Sequence, residues 1–271
     1  MNAPRELPLV FIRASSLAEL FDCPARWAAK HIEGLRMPRS AAAQLGTAVH
    51  AGTAVFDASR LPGGSPVSAD DAAGALVDAI HKPKEEVDWD DTKPQDAERI
   101  ALALHTRYCA EIAPQQQYVG VEVKCEKLEL PELGIALTGT TDRVRRTAQG
   151  NGISDLKTGK SAVGADGKAN TQGHAAQLGV YELLAQHATG IDITAPAQIV
   201  GMNTGKTPAA QRVAAAEVPD ARTALVGTEE QPGLLEHASR LIRSGAFYGN
   251  SKSYLCSERY CPAHSTCRFK A

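Results

Sequence analysis

The run Ile153-Ser154-Asp155-Leu156-Lys157-Thr158-Gly159-Lys160 sets a carboxylate and an amine two residues apart. On an extended strand, side chains alternate with period two, so Asp155 and Lys157 project from one face while Ile153 and Leu156 anchor the backbone. A second acid, Asp142, closes Thr138-Gly139-Thr140-Thr141-Asp142, and the turn-rich stretch 147–152 separates the two runs. That spacing reads as a hairpin bringing Asp142 beside Asp155. Two crowded carboxylates repel unless a cation lies between them, and hard oxygen ligands suit Mg²⁺ or Mn²⁺. Such an ion activates water and stabilises the charge developing on a phosphate, while Lys157 holds or polarises the nucleophile. D-x-K alone is unspecific, since a solvated hairpin with ordinary surface charges gives the same pattern.

Other residues are candidates for the same site. His50 ends Gly46-Thr47-Ala48-Val49-His50 within an Ala-rich helix expected over 40–58. Small residues there permit close packing against a neighbour, and His50 points either into the site or into ordinary structure. Gln177 and Tyr181 lie four apart on a helix expected over 174–187, so they share a face and either touch a substrate backbone or pack between helices. Glu122 alternates with Val121 and Val123, which leaves it on the solvated face or aimed at the site. Gly201-Met202-Asn203-Thr204-Gly205-Lys206-Thr207 is one residue short between its glycines for a phosphate-binding loop, and Pro208 follows, so a turn between strands explains it better.

At the other end of the chain, Cys256, Cys261 and Cys267 form C-x4-C-x5-C. Three thiols at this spacing in a reducing compartment need a fourth ligand, and Cys23, at a helix junction before Pro24, is the natural one. His264 could instead complete a Cys3His zinc site. Thiolates alone suit an iron–sulfur cluster or zinc, and either would staple a loop of more than two hundred residues.

The positioning elements follow from pattern. An extended run over 7–12 precedes a helix capped by Ser16 with Glu19 as its capping-box partner, then a second helix over 25–32 with Pro24 in its first turn. Loops over 61–69 and 83–94 flank a helix over 70–81, and 95–113 is helical. From Tyr118 the period changes to strands, over 118–125, 127–130 and 135–140. A Gly-rich loop over 164–173, strands over 197–202 and 212–218 and a helix over 229–244 complete the chain.

With 271 residues, 43% of them hydrophobic, the chain can bury a substantial core. Lys+Arg 29 against Asp+Glu 31 gives a net charge of -2, so any attraction to nucleic acid must be a local patch. No run reaches a membrane span, and Met1-Asn2-Ala3-Pro4-Arg5-Glu6 lacks the apolar core of a signal peptide, so the expected location is cytoplasmic.

In order, Cys23-Pro24, Gly46 to His50, Gly139 to Asp142, Asp155-Leu156-Lys157-Thr158-Gly159, Gln177 to Tyr181 and the terminal cysteines resemble the RecB-like branch of the PD-(D/E)XK nuclease superfamily. The chain looks most like phage exonucleases and CRISPR-associated RecB-type nucleases with a four-cysteine iron–sulfur cluster. The resemblance spans nearly the whole chain, with little contribution from 61–113. It implies an α/β, restriction-endonuclease-like fold, with a mixed central sheet flanked by helices and the Cys-rich tail docked on the N-terminal helices. One domain over 1–271 is expected: N-terminal helices in 1–60, a helical insertion in 61–117, the nuclease core in 118–218 and the cluster tail in 219–271.

The resemblance further implies that His50, Asp142 and Asp155, with the Leu156 carbonyl, hold Mg²⁺ or Mn²⁺. Lys157 is then the catalytic lysine, Glu122 an upstream acid, and Gln177 and Tyr181 the motif that contacts DNA. Arg143, Arg145, Arg146 and Lys160 would supply further backbone contacts. Cys23, Cys256, Cys261 and Cys267 match ligands of a 4Fe-4S cluster, although C-x4-C stands where many relatives have C-x2-C, which keeps Zn²⁺ as the alternative. The implied activity is metal-dependent hydrolysis of DNA phosphodiesters by an exonuclease in recombination or end processing, with a recombination or strand-annealing protein as partner. The rival readings are a non-catalytic DNA-binding adaptor of the same fold and a redox protein using the cluster.

Overall fold

A computed structural model of the chain describes residues 9–89 and 92–270. Residues 1–6, the start of the expected extended run at Leu7 and Pro8, Asp90 and Asp91 of the expected loop, and Ala271 lie outside the described residues. β1 (Val10–Arg13) leads through a short turn into α1 (Leu17–Asp22) and α2 (Pro24–His31). Pro24 sits in the first turn of α2, where its missing N–H removes no helical hydrogen bond. The expected capping box does not form. Ser16 Oγ instead donates to the Arg13 carbonyl at 3.0 Å, and Glu19 takes Arg26 and Lys30 of the next helix at 2.8 and 2.9 Å. Those two cations outcompete a local cap because each brings a charge.

β2 (Arg39–Ser40) precedes α3 (Ala41–Ala58), whose cap is made by Ser40 Oγ accepting the Ala43 N–H at 3.2 Å. α4 (Ala69–His81), β3 (Val87–Asp88), which pairs with β2, and α5 (Pro94–Arg107), prolonged by a wide turn at Tyr108–Ile112, complete the helical first half. The strands then come in sequence: β4 (Tyr118–Leu130), β5 (Ile135–Thr147) and β6 (Gly150–Gly159). The two short strands expected at 118–130 are one strand with a register shift between Cys125 and Leu128. α6 (Ala175–Thr189) crosses over to β7 (Ala197–Asn203) and β8 (Val213–Val218), after which α7 (Ala221–Val226), not expected from pattern, and α8 (Leu234–Ser244) lead into the cysteine tail.

The main sheet is mixed, ordered β1-β5-β6-β7-β8, with β4 on the other edge of β5. β5 runs antiparallel to β4 and β6, whereas β1–β5 and β6–β7 are parallel pairs, the latter joined by the α6 crossover. Helices cover both faces. Leu178 and Leu184 of α6, with Leu17, Leu20, Trp27, Leu225 and Leu235, pack on Ile12, Leu137, Ile153 and Ile199. On the opposite face Leu45 and Val49 of α3, Leu76 of α4 and Leu104 of α5 pack on Leu156, Val200 and Met202. Ile153 and Leu156 thus anchor β6 from opposite sides, as their parity requires. This is the restriction-endonuclease-like α/β arrangement, a mixed central sheet between helices. Among the described residues, no helix is long and apolar enough to cross a membrane.

One detail of the sheet positions the site. β1 pairs with β5 over residues 135–138, and β6 pairs with the same edge of β5 from Arg143 onward. The last β5–β6 pair is Arg143 with Ser154, so the next would be Asp142 with Asp155. There the two strands part, leaving a fork with an acid on each prong.

Candidate active site

The fork forms because β6 turns from pairing β5 to pairing β7, which continues with it from Ser154 to Gly159. Asp155 is buried at 1% exposure, and its Oδ2 lies 2.5 Å from Lys157 Nζ on the same face. Asp142 is held from the neighbouring strand, its Oδ2 accepting the Leu156 N–H at 2.8 Å. The Leu156 carbonyl faces His50 Nε2 at 3.1 Å, and His50 Nδ1 lies 3.5 Å from Asp142 Oδ1. The backbone of a single residue therefore aligns the acid and the imidazole. α3 can come this close because Gly46, one turn before His50, has no side chain: a Cβ there would stand 2.7 Å from Thr158 Oγ1.

Glu122 completes the group. β4 pairs Val121 with Arg143 and Val123 with Thr141, which sets Glu122 opposite Asp142. Its φ of 50° is in the left-handed region, uncommon for a side chain of this size, and this local strain accompanies a carboxylate aimed at the fork. One ligand atom each from His50, Glu122 and Asp142 lies within 4.8 Å of the other two. Like charges directly across a ladder repel. Here they are tolerated beside an imidazole.

The electrostatics have the same cause. Burial works against ionised Asp142, yet His50, the Leu156 N–H and Lys157 outweigh it and hold the carboxyl at about 2. Burial, and then the Asp142 charge, push Asp155 up to about 6, with Lys157 partly offsetting them. Glu122 is raised by burial and by Asp142. His50 is raised despite burial, because Asp142 favours its proton. Excess negative charge converges here, and Asp155 Oδ2 is buried with no hydrogen bond beyond its contact with Lys157. A hard divalent cation fits this donor set of carboxylate oxygens and one imidazole. Nε2–H on the Leu156 carbonyl would leave Nδ1 as the free lone pair, the arrangement that orients histidine ligands.

Gln177 and Tyr181 also come to the site. Gln177 Nε2 donates to Tyr181 Oη at 2.9 Å, and burial followed by the charges of Asp155 and Asp142 pushes the phenol above its usual range. Arg143 does not meet its expectation as a substrate contact. It is fully buried, its Nε on Asp57 Oδ2 at 2.7 Å, its Nη2 on Thr53 Oγ1 at 3.2 Å and its Nη1 on Glu122 Oε1 at 3.3 Å. Arg145 is likewise buried and paired with Glu217 at 3.0 Å, so neither reaches a substrate surface, whereas Arg146 and Lys160 are exposed.

Residues that pattern reading passed over stand behind the site. Tyr108 Oη donates to Asp57 Oδ2 at 2.6 Å and lies 3.0 Å from Tyr118 Oη, so a buried polar network joins α3, β4 and β5. Burial pushes the Asp57 carboxyl up against the pull of Arg143. The signal was present in the spacing His50, Thr53, Asp57, three polar residues on one face of a largely apolar helix.

The second cluster lies where the tail meets α1 and α2. Cys23, Cys256, Cys261 and Cys267 line one small cavity together with His264, and all four thiols are free. The tail is docked by backbone and side-chain bonds: Ala25 N–H to Tyr248 O at 3.0 Å, Asn250 Nδ2 to Asp22 O at 3.0 Å and Ser253 Oγ to Asp22 Oδ2 at 2.7 Å. Asn250 N–H points at Cys23 Sγ, 3.4 Å away. Burial, and then the nearness of Cys23 and Cys267, push the Cys261 thiol up. Cys125 is buried in the core between the sheet and α6, and Cys109 sits beside His105.

The profile of the PD-(D/E)XK nuclease superfamily matches residues 13–268, and the chain belongs to that superfamily. Such nucleases use divalent metals, and the His50, Glu122 and Asp142 group is one that could hold such an ion. No curated protein matches the chain. Among solved structures, one titled "Crystal structure of SSO0001" is similar over 97% of this chain and 88% of that chain, at 14% identity and a TM-score of 0.43.

Proposed function

We propose that the chain is a Mg²⁺- or Mn²⁺-dependent deoxyribonuclease of the RecB-like branch, an exonuclease acting on DNA ends in recombination or end processing beside a strand-annealing or recombination protein. The observation that carries this reading is the convergence of His50, Glu122 and Asp142 with the Asp155–Lys157 pair at the fork between β5 and β6. A divalent cation bound there by His50, Glu122, Asp142 and Asp155, with the Leu156 carbonyl in reach, would acidify water and neutralise charge on the scissile phosphate. Lys157, beside Asp155, is placed to hold the attacking water and meet the phosphate charge. Leu156 fixes His50 and Asp142, and the Gln177–Tyr181 pair faces the strand to be cut.

The cysteine cavity is read as the seat of an iron–sulfur cluster. Four thiols lining one cavity suit an iron–sulfur cluster or, as the alternative, zinc.

The test is digestion of linear and closed circular DNA in Mg²⁺ and in Mn²⁺. Loss of linear DNA alone, abolished in Asp155→Ala and Lys157→Ala with circular dichroism unchanged, is the expected result; no cleavage of any DNA by cluster-replete protein removes the enzyme reading. A brown sample absorbing near ~400 nm after anaerobic purification is expected for the cluster, and a colourless, zinc-containing sample replaces it with zinc.

A further inference from the structure

We propose that the open groove beside the fork is the track for a single strand of DNA, with Phe11 as the surface on which a base stacks. The proposal rests on the nuclease reading and deepens it by naming the form of the substrate. The groove encloses about 810 Å³ between β1, α2 with its following loop, and β4. Its floor includes Thr138 and Thr140 of β5, the latter two residues before Asp142, and Tyr181 of the Gln177–Tyr181 pair stands in its wall. The groove therefore shares Tyr181 with the Gln177–Tyr181 pair, and its floor lies on the same strand as Asp142.

Charge marks what runs in it. Arg13, Lys30, Arg36 and Lys124 line the groove with one acid, Glu126; Lys124 pairs with Glu126 at 2.8 Å and Lys30 with Glu19 of α1 at 2.9 Å, which leaves Arg13 and Arg36 as the net excess. In a chain whose net charge is -2, this is a local excess of cations, drawn from a strand and a loop onto one concavity. It suits a polyanion running beside the acids that would hold the cation.

Phe11 decides between one strand and two. On β1, Val10 and Ile12 pack into the core, while Phe11 is 55% exposed and shares its face with Arg13 two residues on. An isolated exposed ring is ordinary, but this one lies in the cationic groove. In a duplex the base faces are already stacked on one another and a ring has nothing to cover. A single strand offers open faces, and aromatic rings interleaved with cations are how such strands are held.

The experiment is fluorescence anisotropy with labelled oligothymidine and with a blunt duplex of equal length, using the full chain without added divalent cation. The single strand is expected to bind at least about tenfold more tightly than the duplex, and Phe11→Ala to weaken it by at least about fivefold. The Arg13→Ala/Arg36→Ala double variant should lower the slope of log affinity against log salt by about 1.4, two lost phosphate contacts. Arg240→Ala, on the exposed face of α8, should change nothing. Phe11→Trp supplies a second readout, its emission quenched by the oligonucleotide. Equal affinity for both DNAs, or an unquenched Trp with full affinity in Phe11→Ala, overturns the track. Single-strand binding of the expected kind by a protein that cleaves nothing in Mg²⁺ or Mn²⁺ supports the track and removes the nuclease reading. Cleavage of single strands by Phe11→Ala and by the Arg double variant at unchanged KM removes the track and leaves the nuclease reading standing.

Discussion

Arg143 shows how much a single side chain can change role once its surroundings are known. Next to Asp142 in the chain, it looks like a phosphate contact, but it spans from Asp57 on α3 to Glu122 on β4 without exposure to water. Removing one partner of a buried pair strands the other charge, so Arg143→Met is expected to lower unfolding stability by about 3–5 kcal/mol, measured by urea titration. The Glu122 carboxylate, set in its strained conformation opposite Asp142, has a different task. Glu122→Ala should raise the Mn²⁺ concentration for half-maximal cleavage by about ten- to a hundredfold while leaving metal-free oligonucleotide binding intact. Asp142, Asp155 and Lys157 were legible because one hairpin and its period-two alternation fix their relations locally. The buried role of Arg143 was not, because Asp57 lies 86 residues away, and pattern alone left Glu122 between the solvated face and the site because a positive φ leaves no mark on an alternating pattern.

At the scale of elements, the site depends on how closely α3 approaches β6. Gly46→Val would force a branched side chain against Thr158, pushing α3 and His50 away from Leu156. The expected cost is about 1–3 kcal/mol of stability, seen in thermal melts, with loss of metal binding by calorimetry. The α1–α2 corner depends on charge instead. Burial resists ionisation of Glu19, but bonds with His31, Lys30 and Arg26 outweigh it and bring its pKa from 4.5 to about 2. A carboxyl lowered on folding stabilises the folded state fully above about 4.5 and loses that contribution as pH falls towards about 2. Between those values the wild type should lose up to roughly 3 kcal/mol more than Glu19→Gln does, measured by urea melts at successive pH values. The helices and strands themselves were largely readable, since amphipathic spacing, Ser40 and Pro24 act locally. The capping box failed because the bidders for Glu19 come from the next helix, and α7 escaped notice as a segment of only 6 residues.

Across the whole molecule, the α1–α2 corner and the tail meet at the cysteine cavity, and the tail braces the helix that lines the proposed DNA track. Cys267→Ser, or extraction of the proposed metal group with chelator and oxidant, should lower the thermal midpoint and expose 246–270 to limited proteolysis while the far-ultraviolet signal of the sheet persists. By the chain-entropy measure, a tie across more than two hundred residues stabilises by up to about 5 kcal/mol. The cysteine spacing made it legible that Cys23 and the terminal trio would line one cavity. The bonds from Asn250 and Ser253 to Asp22 that seat the tail were hidden, because no pattern links polar side chains so far apart.

The order of translation gives that seating a consequence in time. A ribosome adding about 5–20 residues per second delivers Cys256 roughly 12–50 seconds after Cys23. The acids at the fork have all left the peptidyl-transferase centre by then, but the corner that walls the groove still waits for its brace. A nascent chain thus carries the acids of the proposed site before the wall of the proposed track is braced, and the segment that braces it is made more than two hundred residues after the corner it holds.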